Sequence, residues 1–175
     1  ISGGGFVWNG VNYPLEPNLD NEAFPIHGDG FQKVWDIVDS VNGVSMILSN
    51  GSFGPWRYSA EQLFDLTPNS LTITLVITNN SGLILPFGCG FHPWFPRYDD
   101  TKLSFTAEKV WMEDEYHLPT KEMVLMDGSV WSFNQPRNLP VKLINNGYTS
   151  WYGTAWIKQG MGAVSCILNA SNNLQ

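Results

Sequence analysis

Charge is scarce in this chain. Only 14% of its 175 residues are Asp, Glu, Lys or Arg, and nine basic residues face sixteen acidic ones, a net charge of -7 at pH 7. So few cations leave little to grip a phosphate backbone, which excludes nucleic acid, and the negative sign argues against binding to an anionic membrane surface. Long apolar runs are missing too: nothing approaches the roughly 18 consecutive apolar residues of a membrane-spanning helix. The only two cysteines, Cys89 and Cys166, stand in no CxxC or zinc-type spacing, so they read as free, buried thiols. Three histidines, His27, His92 and His117, show neither His-x-His nor His-x-x-x-His spacing, so no metal centre is expected. No amphipathic helical pattern exceeds two turns, and no internal repeat is visible. A signal peptide is also absent, but the chain starts at Ile1, not at methionine, so that absence says nothing.

What is abundant points to strands and turns. Seventeen Gly, eleven Pro and 14% aromatic residues suit a loop-rich β protein, and the length is that of one domain with a real core. Residues 6–8 and 11–15 flank Asn9-Gly10, a strong hairpin signal, and residues 35–41 and 44–48 flank a second one, Asn42-Gly43. Residues 55–66 read as a strand, although 60–64 fit a helical turn equally well. Residues 71–79 alternate apolar and polar as a half-buried strand does, and end in the turn Asn79-Asn80-Ser81-Gly82. Residues 102–107 alternate likewise, and residues 110–120 read as an edge strand and loop. Turns every eight to twelve residues predict an all-β antiparallel β-sandwich.

The stretch that carries chemistry is Leu85-Pro86-Phe87-Gly88-Cys89-Gly90-Phe91-His92-Pro93-Trp94-Phe95-Pro96-Arg97. Gly88 and Gly90 would weaken an ordinary strand, so they are read as letting backbone or ligand approach closely. Pro93 biases His92 toward an extended backbone, which aims the ring and puts Trp94 on the same face. A histidine held in one direction, able to exchange a proton near neutral pH, is suited to general acid catalysis. Packing in an aromatic core is the plainer reading of the same residue.

This stretch resembles the aldose 1-epimerase (galactose mutarotase) family, with its pattern Pro-Phe-Gly-x-Gly-x-His-Pro-aromatic-Phe-Pro. Ile26-His27-Gly28-Asp29-Gly30 through Trp35 is similar to a second family segment, Trp56-Arg57-Tyr58 keeps the family's order, and Asn145-Asn146-Gly147-Tyr148 through Trp151 and Gly153 resembles a third. The resemblance is strongest to the bacterial aldose 1-epimerase-like branch. It implies a galactose mutarotase-like supersandwich truncated at both ends, with residues 1–175 a single partial sugar-binding domain. It further implies an isomerase that interconverts the α and β anomers of an aldohexose, without cofactor or metal, in the cytoplasm. A base takes the anomeric proton while an acid protonates the ring oxygen; the ring opens, C1–C2 rotates, and reclosure gives the other anomer. His92 takes the role of general acid, and His27, Asn145 and Trp94 take substrate-binding roles toward a galactose- or glucose-like monosaccharide.

Three departures from the family pattern stand out. The family's base is a glutamate near its C-terminus, for which these residues offer no counterpart, so the chain alone is expected to be inactive. The family's arginine would fall before Ile1. Asn145 replaces a family aspartate, and an amide bonds hydroxyls but bears no charge. A non-catalytic carbohydrate-binding module of the same fold and a hexose-6-phosphate 1-epimerase are the alternatives. The latter needs converging cations, and Arg57, Arg97 and Arg137 are the only arginines. His117, beside Glu113, Asp114 and Glu115, is read as surface or loop support.

Overall fold

Asn9 and Gly10 both adopt positive φ, 49° and 78°, the backbone that a two-residue hairpin turn demands. They join strand β1 (Gly5–Trp8) to β2 (Val11–Pro14), paired antiparallel with Trp8 opposite Val11. In this computed structural model, residues 1–41, 43–160 and 165–171 are described. The chain divides into two units, Ile1–Gly90 and Phe91–Gln175.

The first unit adds an antiparallel sheet in the order β3-β4-β5-β6, formed by Asp36–Ser40, Gly43–Phe53, Trp56–Leu66 and Leu71–Asn79. The β3–β4 hairpin is offset from expectation. Ser40 pairs with Gly43, so Gly43 belongs to the strand, where a Cβ would strike the Phe64 carbonyl of β5. Asn42, the other predicted turn residue, lies outside the described residues. The segment 60–64, ambiguous by pattern, is strand throughout, because β5 is paired along its length between β4 and β6. Aromatic stacking joins the hairpin to this sheet: Phe6 lies on Tyr13 (5.2 Å between centroids) and on Trp56 (4.9 Å). Two indoles then anchor the start of the His92 stretch, Trp8 Nε1 donating to Ile84 O (2.8 Å) and Trp56 Nε1 to Pro86 O (2.9 Å).

The second unit holds two sheets. One has the order β10-β7-β12-β13 (Arg137–Asn138, Lys102–Phe105, Thr154–Lys158, Cys166–Asn169) and the other β11-β8-β9 (Tyr148–Thr149, Lys109–Glu113, Pro119–Val124). Strand β8 is therefore central, not the edge strand expected from its acids. Val110, only 1% exposed, lies in it with partners on both sides, and the acids follow at its end. Phe105 of β7 meets Phe133 (5.3 Å) and, edge-on, Tyr148 of β11 (4.8 Å), which links the two sheets through one aromatic core.

The architecture is thus all-β and antiparallel. Among the described residues there is no α-helix, and no helix is long and apolar enough to cross a membrane. Both cysteines are free, yet Cys89 is exposed and Cys166 only half-buried, against the buried thiols expected. Cys89 sits in a segment with no strand partner to cover it. Residues 161–164 and 172–175, which include part of the stretch compared with the family's glutamate region, lie outside the described residues.

Candidate functional site

His27 adopts φ 56°, a left-handed backbone that costs a non-glycine residue about 1–2 kcal/mol. The Asn18 side chain brackets it. Ile26 N donates to Asn18 Oδ1 (2.9 Å), and Asn18 Nδ2 donates to Ile26 O (3.0 Å) and Gly28 O (3.1 Å). At about 0.5–1.5 kcal/mol net for each bond, this clamp is large enough to hold the strained residue. The ring is exposed and meets Phe31 edge-on at 5.9 Å. Nothing in the spacing of Asn18 and His27 signals such a clamp.

Asp29 ties the same loop to the sheet. Its buried carboxylate accepts from Tyr58 Oη of β5 (2.7 Å) and from Ser52 N of β4 (3.0 Å), with Lys33 Nζ at 3.5 Å. Burial pushes this carboxyl up, but hydrogen bonds from Tyr58 and from backbone N–H groups, with Lys33 beside it, outweigh burial and hold it below the usual range. Burial, and then Asp29 itself, push the Tyr58 phenol well above its usual range. Because the folded carboxyl titrates lower than the unfolded one, its contribution to stability is full above about pH 4 and fades as pH falls through the folded value. Asp29→Asn is therefore expected to lower the urea midpoint at pH 7, with the gap to wild type closing toward pH 3. A gap constant across that range would refute the linkage.

In the second unit His92 is exposed, outside any ladder, with its ring stacked on Trp94 at 5.3 Å and 29° between planes. Trp94 is 87% exposed, so one indole face backs the imidazole while the pair stays open to solvent. Residues 92 and 94 thus do lie together. A Cβ at Gly88 or Gly90 would meet nothing within 4 Å. The close backbone approach expected of these glycines is therefore not seen.

Asn145 is exposed and lines a groove of about 290 Å³ with Trp111, Glu113 and His117. Its segment is fixed alongside β8, since Trp111 N donates to Gly147 O (2.8 Å) and Asn146 Nδ2 to Trp111 O (2.7 Å). His117 has φ 60° and sits on an exposed loop with Nδ1 3.1 Å from Glu113 Oε2. The tryptophans of the other segments matched to the family are engaged within the fold: Trp35 Nε1 donates to Gly30 O, Trp56 stacks on Phe6 and Phe53, and Trp151 Nε1 donates to Thr154 O. All three arginines are engaged by backbone carbonyls: Arg57 by Gly54 and Trp56, Arg97 by Leu139 and Pro140, and Arg137 by Ser129, Val130 and Ser132.

Comparison with known proteins agrees with the motifs. The family described as Aldose 1-epimerase matches residues 1–175. The uncharacterized protein YphB of Escherichia coli (strain K12) is 34% identical over 171 residues, which make up 98% of this chain and 59% of that protein. A crystal structure from Escherichia coli K12, provisionally named an aldose 1-epimerase, superposes with a TM-score of 0.84 at 37% identity. That match covers 91% of this chain and 54% of the solved one. The chain therefore spans little more than half the length of the relatives it matches. With the whole of its length matched and the histidine-bearing motifs in order, this chain belongs to the aldose 1-epimerase family.

Proposed function

We propose that the gene product carrying this chain is an aldose 1-epimerase in activity as well as in family, interconverting the anomers of a galactose- or glucose-like aldohexose. Residues 1–175 are read as a single sugar-binding domain of a cytoplasmic isomerase. The observation that carries the reading is the open His92–Trp94 pair, a proton donor backed by a flat apolar face in a segment free of sheet bonding. His92 acts as general acid toward the ring oxygen, while a general base takes the anomeric proton. Trp94 lies against the ring face, and His27 and Asn145 bind hydroxyls. The reaction moves only protons, so these residue types suffice for the acid and binding roles.

The hexose-6-phosphate alternative is disfavoured because no Lys or Arg is among the described residues lining the groove at Asn145. A non-catalytic module remains as an outcome of the test. Anomer exchange of D-galactose and D-glucose, followed by NMR magnetisation transfer on that gene product, is expected to exceed the buffer rate. Sugar binding without faster exchange would make the protein a binding module, and neither would end the sugar reading.

A further inference from the structure

The groove at the end of β8 contains a carboxylate that the roles assigned above do not use. Glu113 lies where the β8–β9 register shifts, and its Oε2 is buried without an aligned hydrogen-bond donor, although His117 Nδ1 is only 3.1 Å away. The two atoms are within contact distance, but their alignment does not make a hydrogen bond. The loop beyond is rigidly built: Asp114 Oδ1 accepts from Tyr116 N (2.8 Å) and Leu118 N (3.0 Å), and Asp114 N donates to Leu118 O (3.0 Å). His117, by contrast, has a mostly exposed side chain and turns aside at little cost. A buried acceptor left without a donor is an unstable arrangement that a ligand hydroxyl would relieve.

The remaining walls fit a sugar. Trp111, Met112 and Pro119 are apolar, Asn145 offers both an amide donor and an acceptor, and no Lys or Arg is among the lining residues. The volume of about 290 Å³ suits a single small molecule. We propose that Glu113, with the His117 ring turned aside, accepts hydroxyls of a neutral monosaccharide held at Asn145, and that this carboxylate makes the groove reject sugar phosphates. The inference rests on the sugar-binding part of the function proposed above, not on catalysis. Among the described residues lining the groove Glu113 is the only carboxylate, and it repels an anionic phosphate at close range where Asn145 cannot.

The test is a ¹H–¹⁵N NMR titration with D-galactose and with D-glucose 6-phosphate, reading the Trp111 indole and Asn145 side-chain amide signals, with anomer exchange measured on the same samples. In the wild-type protein galactose moves both signals, and the phosphate binds at least about tenfold more weakly. Glu113→Gln weakens galactose about tenfold and narrows the gap between the two ligands, a change of selectivity that a merely structural role would not produce. His117→Ala keeps the carboxylate, so the neutral preference persists; it carries the test if Glu113→Gln melts early. Unchanged galactose affinity in folded Glu113→Gln, galactose shifts located away from the groove, or loss of the neutral preference in His117→Ala overturns the assignment. Anomer exchange with a silent groove sinks this inference and leaves the epimerase reading standing. Galactose in the groove without exchange does the reverse.

Discussion

His92→Ala lowers catalysed anomer exchange by roughly 10²–10⁴-fold, the usual contribution of a positioned general acid. The argument has two parts. The imidazole is the titratable group of its segment that lies against an exposed aromatic face, so its loss removes the proton donor and leaves the Trp94 platform. The ring is also exposed, with Trp94 as its stacking partner, so truncation should cost the fold no more than about 0.5 kcal/mol, as at other surface positions. A wild-type thermal midpoint with collapsed exchange is the expected pair of results. If exchange stays within about threefold of wild type, a smaller loss than general acid catalysis allows, the acid role belongs elsewhere.

The largest expected effect on stability is that of Gly51→Ala. Gly51 is buried in β4 opposite Tyr58 of β5, just past the irregularity between Leu48 and Gly51. A Cβ there would fall among the ring carbons of Tyr58. The ring cannot simply move away, because its hydroxyl donates to Asp29 Oδ1 at 2.7 Å, and that bond holds the His27 loop to the sheet. Overpacking of this kind costs about 1–3 kcal/mol, and losing a hydrogen bond to a carboxylate adds about 1.5–3 kcal/mol. A total of roughly 2–5 kcal/mol is a large share of a typical folding free energy. Urea denaturation measures it directly. Tyr58→Phe is the control: it keeps the ring over Gly51, removes only the hydroxyl, and should cost less. A Gly51→Ala midpoint equal to wild type would mean that the ring relaxes freely and that Asp29 does not depend on it.

Local chemistry accounts for what could be read without coordinates. Asn9-Gly10 encodes its turn because both residues tolerate positive φ, and the alternation of residues 71–79 encodes a strand because side chains in a strand face opposite ways. The stacking of His92 on Trp94 agrees with the same two-residue period read across Pro93. Where the local signal was ambiguous, long-range pairing decided. Residues 60–64 became strand because β4 and β6 bond both their edges, and Gly43 entered β4 because the partner backbone leaves no room for a side chain.

The candidate site divides along the same line. Sequence by itself determined the all-β class, the family and the identity of His27, His92, Trp94 and Asn145 as candidates, since short-range stereochemistry and ordered motifs suffice for these. Only the tertiary structure decided that Asn18 clamps His27, that Asp29 is held by Tyr58 and Ser52, and that Glu113 and His117 share a groove with Asn145. Those contacts join residues from 8 to about 30 positions apart. No local periodicity reports such pairs, because closing the chain on itself is a property of the fold and not of any one segment.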